Sequence, residues 1–186
     1  MPVRSIYLVM DMLNDLIGPE AGMGAEAARR GIVARTAAAL AKARAAGVRV
    51  GFSPDYKECP PNSPVFSPVR QAGLLRLGTP GTTVVAGLEP RPEDFDIVKH
   101  RVSPFYGTNL EPILRARGIG RLYLSGVSTN GVVHTGVREA HDRDYELVVL
   151  EDCCCARSAE EHEATMAMLA RFATIASSAD VDFGAA

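Results

Sequence analysis

The chain has 186 residues, 47% hydrophobic and 23% charged, with 20 Lys and Arg against 22 Asp and Glu for a formal net charge of -2. Such a length and apolar share suit one globular domain spanning residues 1–186 and exclude a disordered, collagen-like or coiled-coil chain. The near-neutral balance leaves no basic field for nucleic acid or anionic lipid, and no apolar run approaches the ~20 residues that cross a bilayer.

Met1-Pro2-Val3-Arg4 enters a short apolar stretch without a small-residue cleavage site, so no signal peptide is expected. Ser5 to Met10 is an apolar run bounded by polar residues, as expected of a strand buried on both faces. Gly24 to Ala46, rich in Ala and Arg, predicts one helix stopped by Gly47, with Arg29, Arg30, Arg35 and Arg44 on its solvated side. Val48 to Phe52 predicts a second strand. Ser53 to Pro68 holds five prolines and reads as a long irregular segment of the kind that forms lids or binding loops. Gly73 to Pro92 reads as surface connection, with one short strand at Thr82-Thr83-Val84-Val85.

Phe95 to Lys99 predicts a third core strand, Asn109 to Arg117 a short helix and Leu122 to Ser125 a fourth strand. Thr129 to Arg143 is helical, with Val132, Val133, Gly136, Val137 and Ala140 on one face. Glu146 to Leu150 is a fifth strand, Ala159 to Arg171 a helix, and Thr174 to Ser177 a sixth, edge strand. Strands alternating with helices over crossovers of a dozen or more residues predict an α/β fold. It is a single doubly wound domain with a mostly parallel sheet of about six strands and helices on both faces.

Ligands of such a sheet bind beyond the carboxyl ends of its strands. Asp11 follows the first strand and Lys99 ends the third, each a charge closing an apolar run, where burial alone is expensive. If those strands are neighbours, the two groups pair and hold each other ionised; a purely structural ion pair is the alternative. Gly126 to Val133 is a strand-to-helix turn whose first N–H groups face the crevice as an anion site, or else an ordinary helix start capped by Ser128 or Thr129.

Cys59 stands alone, and Cys153, Cys154 and Cys155 are consecutive. Neighbouring strand Cβ atoms point to opposite faces, so the triplet makes no disulfide framework, and C-x-x-C zinc spacing is absent. Reduced thiols in the cytoplasm are expected. His134 and His141 fall on the polar side of their helix, and His162-Glu163 begins no H-E-x-x-H motif because Met166 takes the second position.

Three segments in this order, LVMDMLND, IVKHRVSPFYGTNL and LYLSGVSTNGVVHTGVREAHDRDYELVVLEDCCCA, resemble the isochorismatase-like (cysteine) hydrolases. The resemblance covers most of the chain and is loose only from Ser53 to Pro92. It implies that Asp11 and Lys99 are the catalytic aspartate and lysine. It also implies a cis Val127–Ser128 peptide, with the backbone N–H groups of Ser128 and Val132 forming an oxyanion hole. Asn14, Asp55, Tyr106 and Asn130 are candidate substrate-binding residues. Asp55 lacks the Asp-x-His pattern of amidase members, so neither a metal nor another cofactor is expected.

The amidase members read G-V-x-T-x-x-C-V through the turn; here Val132 occupies the nucleophile's position, and a valine cannot attack a carbonyl. The resemblance then implies a hydrolase of small anionic or carbonyl-bearing metabolites acting through Asp11 and Lys99, with vinyl-ether cleavage as the precedent. Alternatives are a non-catalytic small-molecule binder and an amide hydrolase using another cysteine. A homo-oligomer, dimer or tetramer, is also expected of the family.

Overall fold

The apolar runs of the sequence line up as neighbouring strands of one sheet. The computed structural model describes residues 3–53, 69 and 71–184. Asp55, Tyr56 and Cys59 lie outside the described residues. Strands β1 (Arg4–Met10), β2 (Arg49–Ser53), β3 (Phe95–Asp96), β4 (Ile119–Val127), β5 (Glu146–Cys155) and β6 (Thr174–Ala176) stand in the order β3-β2-β1-β4-β5-β6. Every pairing is parallel. The helices are α1 (Asn14–Ile17), α2 (Gly24–Arg30), α3 (Ile32–Ala45), α4 (Leu110–Arg117), α5 (His134–His141) and α6 (Ala159–Leu169). A π turn over Thr129–Val133 leads into α5.

Strand alternation divides the core in two. Tyr7, Val9, Val50 and Phe52 pack with Ala27, Ile32, Ala39 and Leu40 of α2 and α3. Ile6, Leu8 and Met10 pack on the opposite face with Leu110, Leu114, Val137, Ala140, Met166 and Leu169 of α4, α5 and α6. Each fully buried aliphatic side chain contributes about 1.5–3 kcal/mol, so the two layers account for the fold's cohesion. The cysteine triplet follows the same alternation, Cys153 and Cys155 on the α2–α3 side and Cys154 on the other.

Several expectations are corrected. The predicted Gly24–Ala46 helix is two helices, because Gly31 turns left-handed at φ 63° and closes α2 before α3 begins. Its arginines are not all solvated: Arg44 pairs with a buried Asp94, and the Arg30 side chain is 17% exposed against Glu151. The third strand ends at Asp96 rather than Lys99; Ile97 still donates to the Phe52 carbonyl at 2.8 Å, and Lys99 keeps only a single β-bridge. The fourth and fifth strands run longer than their apolar cores, through Val127 and Cys155. A register shift lies where Leu124 pairs Val149 but Gly126 pairs Cys154.

Two glycines serve close approach. A Cβ on Gly51 in β2 would stand 2.8 Å from Ile97 Cδ1 and 2.9 Å from Leu8 Cδ2, so its bare backbone makes room for side chains of both neighbouring strands. Gly126, at φ 142°, has the Met10 carbonyl oxygen 2.0 Å from where its Cβ would lie. That contact locks the end of β4 onto the end of β1, where the strand order reverses and the crevice of a doubly wound sheet opens.

Candidate active site

Asp11 is the first residue past β1, and its backbone sits in the left-handed region at φ 58°, a conformation that Asp and Asn tolerate better than other side chains. Its N–H donates to the Ser53 carbonyl at 3.1 Å, fixing it to the end of β2. The side chain reaches Lys99, with Oδ2 to Nζ at 2.9 Å; the two side chains are 7% and 0% exposed. Lys99 Nζ also donates to the Arg101 carbonyl at 3.1 Å.

The pairing expected from the sequence is present, but by another route. The first and third strands are not neighbours, since β2 lies between them. β3 pairs with β2 over only two residues, Ile97 N donates to the Phe52 carbonyl just beyond them, and Lys99, two residues further on, reaches Asp11. Burying both charges is costly unless each compensates the other, and contact at hydrogen-bonding distance supplies that compensation.

The third part of the site follows β4. The Val127–Ser128 peptide is cis. Neither Ser128 nor Thr129 caps the turn through its side chain, which corrects the ordinary-cap alternative. Instead the Ser128 carbonyl accepts from Gly131 N at 3.1 Å and Val133 N at 3.3 Å, the second a π-type bond. Val132 is 2% exposed and belongs to the apolar core beneath α5. A hydrophobic group thus stands at the position to which the resemblance assigns the amidases' sulfur. The loop after Lys99 packs on α5 and on this turn: Pro104 Cγ is 3.2 Å from where a Gly136 Cβ would stand, and Val102 Cγ1 4.0 Å from where a Gly131 Cβ would stand.

The candidate substrate-binding residues are placed less centrally. Asn14 Nδ2 donates to Thr83 Oγ1 at 2.8 Å and the Pro80 carbonyl at 3.1 Å, so its amide holds the short 3₁₀ turn Pro80–Thr82. Tyr106 is 69% exposed. Asn130 is exposed, with Nδ2 3.5 Å from Glu161. A cavity of about 870 Å³ is lined by Phe52, Thr82, Val84, Phe95 and Asp96 among others, but by neither Asp11 nor Lys99. The buried ion pair, with two charges held out of water, is the candidate site.

The thiols of the Cys153–Cys155 triplet are poor nucleophiles. Burial pushes Cys153 and Cys155 up to about 11 and Cys154 well above its ordinary value. All three side chains are fully buried, so they are protonated core residues at neutral pH. Among the described residues, no group of three or more His, Cys, Asp and Glu side chains is arranged to hold a metal ion. No helix among them is long and apolar enough to cross a membrane.

Sequence reasoning missed His162. It is 2% exposed, and its Nδ1 lies 2.8 Å from Thr129 Oγ1 in the π turn. Its Nε2 lies 3.0 Å from Arg30 Nη2. The only local signal was its place in the first turn of α6, whose N-cap Ser158 accepts from Glu161 N.

Residues 5–180 match the isochorismatase domain family. The ureidoacrylate amidohydrolase RutB of Methylorubrum extorquens is 38% identical over 138 residues, an alignment taking in 65% of this chain and 56% of that protein. The chain thus spans little more than half the length of that relative. An isochorismatase family protein from Desulfovibrio vulgaris superposes with a TM-score of 0.83 at 31% identity, over 96% of both chains. The N-carbamoylsarcosine amidase of Thermoplasma acidophilum superposes with a TM-score of 0.81 at 27% identity, covering 97% of this chain and 99% of that one.

Proposed function

The chain belongs to the isochorismatase family of hydrolases, and from that premise we propose that it hydrolyses a small carbonyl-bearing or anionic metabolite through Asp11 and Lys99, without a covalent thiol intermediate. The observation that carries this reading is the 2.9 Å ion pair between these two buried side chains, beside a turn with Val132 in the nucleophile's position. The Asp11 carboxylate takes a proton from a water molecule as its oxygen adds to the carbonyl carbon. The backbone N–H groups of Ser128 and Val132 receive the oxygen that becomes negative. The carbon–nitrogen bond then breaks, and Asp11 passes its proton to the departing nitrogen. Lys99 holds Asp11 in the form that accepts the first proton.

Two relatives guide the choice of substrate. Ureidoacrylate and N-carbamoylsarcosine, in whose names RutB and the amidase are described, are both carboxylates bearing an N-carbamoyl group. Small ureido acids are therefore the first compounds to test. Vinyl-ether cleavage, the other precedent, asks Asp11 to begin protonated, a state that its pairing with Lys99 opposes.

A second reading draws on Val132 itself: a binding protein that kept the pocket and lost turnover with the sulfur. One experiment separates the readings. Ureidoacrylate, N-carbamoylsarcosine and an enol ether are screened with the unmodified chain, Asp11→Asn, Val132→Cys and iodoacetamide-treated protein. Hydrolysis lost in Asp11→Asn and unaffected by alkylation supports the acid–base reading. Binding by calorimetry without turnover supports the second, particularly if Val132→Cys gains amidase activity. Hydrolysis unchanged in Asp11→Asn overturns the first.

A further inference from the structure

We infer that His162 is a positioning residue, which acts through Thr129 to hold the π turn that presents the Ser128 and Val132 amides. The inference rests on the proposed role of those amides as anion donors. Its geometry is independent of that role.

The imidazole bridges two elements. On one side Nδ1 lies 2.8 Å from Thr129 Oγ1, within the π turn Thr129–Val133. On the other, Nε2 lies 3.0 Å from Arg30 Nη2. A guanidinium has only donors, so Nε2 accepts and the ring proton resides on Nδ1, where it is donated to the Thr129 hydroxyl oxygen. The competing arrangement, a protonated ring donating Nε2–H to Glu151, has to use the longer separation of 3.5 Å to Glu151 Oε2.

Arg30 is itself anchored. Its Nε donates to the Cys154 carbonyl at 3.0 Å, and its Nη2 shares its two hydrogens between His162 Nε2 and Glu151, lying 3.2 Å from the Glu151 carbonyl and 3.1 Å from Oε2. The chain of bonds therefore runs from β5 through Arg30 of α2 and His162 of α6 to the turn. The charged groups around the ring are Arg30 and Glu26 from α2, Glu151 from β5 and Glu163 on its own helix. Burial, followed by the Arg30 charge, pushes the imidazole below its ordinary range and outweighs the opposing carboxylates. This keeps it neutral, as the tautomer requires. The bond matters to the turn because no side chain caps it, and Asn130 meets Glu161 only at 3.5 Å.

The test exploits the two nitrogens. The Asn amide nitrogen superposes on imidazole Nδ1 and can donate to Thr129, whereas Gln reaches toward Arg30 instead. The kcat and KM for ureidoacrylate are measured from pH 5 to 9 in the unmodified chain, His162→Asn, His162→Gln, Thr129→Val and Asp11→Asn, with thermal unfolding as a folding control. Expected are a kcat lowered about 10-fold in His162→Gln and Thr129→Val with KM little changed, and recovery to within about 3-fold in His162→Asn, because the donors are displaced rather than removed. Nitrogen-15 NMR of the unmodified chain should show a neutral ring protonated on Nδ1 at pH 7.

Equal behaviour of the Asn and Gln variants, or a ring protonated on Nε2, overturns the inference. If Asp11→Asn is fully active or ureidoacrylate is not hydrolysed, the proposed function is at fault. The inference is then judged on the Ser128 and Val132 amide resonances. These should be displaced in His162→Gln and near their original positions in His162→Asn; resonances unmoved in both would refute it.

Discussion

Lys99→Met removes an ammonium that is 0% exposed from a carboxylate that is 7% exposed, 2.9 Å away. The methylene stem is largely replaced, so the change isolates the charge. Removing one partner of a buried ion pair costs about 3–5 kcal/mol, because the remaining charge is held away from water without its counterion. At ~2–4 °C per kcal/mol for a chain of this size, Tm falls by about 6–20 °C. Adding Asp11→Asn should recover more than half of that loss, since no ionised group then remains to be compensated. Asn is the right replacement because Asp11 holds φ 58°, where Ala would add a backbone cost of about 1 kcal/mol. The gap between Lys99→Met and the parent should also narrow from pH 7 to pH 5. Without the ammonium, the buried carboxylate is held away from water uncompensated, and taking up a proton as pH falls relieves that penalty. The assay is thermal and urea unfolding of the four chains in a double-mutant cycle. A coupling below about 0.5 kcal/mol would show that the pair is not energetically joined.

Native protein treated with iodoacetamide at pH 7.5 should leave Cys153, Cys154 and Cys155 unlabelled in peptide mass spectrometry, since Cys153 and Cys155 are held at about 11, Cys154 is also pushed up, and all three are buried. Unfolding in urea should expose them to full labelling. Gly126→Ala should destabilise by about 3 kcal/mol or more, because its Cβ would stand 2.0 Å from the Met10 carbonyl oxygen at φ 142°; an equilibrium urea titration measures the loss. His162 predicts acid sensitivity. Its folded pKa lies below the ordinary 6.5, so the unfolded chain binds this proton more readily, and this histidine's contribution to stability should decline as pH drops through 6.5. His162→Asn should flatten that part of a Tm-against-pH curve.

The legible parts of the molecule were those set by local pattern. The apolar run Ser5–Met10 reads as a strand buried on both faces and Glu146–Leu150 as a further strand, and both lie inside β1 and β5. Asp11 and Lys99 stood out because a charge closing an apolar run is expensive wherever it is buried. What pattern could not reveal was the route between them. The two-residue pairing of β3, and the close approach of Ile97 to the bare backbone of Gly51, are tertiary facts. The α2–α3 break was hidden for a similar reason: one glycine within an Ala-rich run is tolerated in a helix, and only Gly31's left-handed φ ends it. His162 was illegible because its partners Thr129 and Arg30 are 33 and 132 positions away. Nothing in its own neighbourhood distinguishes it from a surface histidine.

The energetics of the ion pair bear on whether Val132 marks a dead site. A buried pair is often no more stabilising than well-packed apolar residues of the same volume, so Asp11 and Lys99 are not what the fold requires for cohesion. The surrounding core could be apolar throughout: Met10, Met12 and Ile97, on either side of the two charges in sequence, are all buried hydrophobics. Around the pair the chain also carries a left-handed Asp11 and a glycine pressed against the Met10 carbonyl, neither of which improves packing. Such features make physical sense where ionised groups must be presented to a ligand beside a turn of backbone donors. If Val132 stands in the nucleophile's position, as the resemblance implies, only the sulfur is missing and that apparatus stays in place. On the proposed function the chemical consequence is a change of nucleophile, with water in the thiol's role and Asp11 as the base.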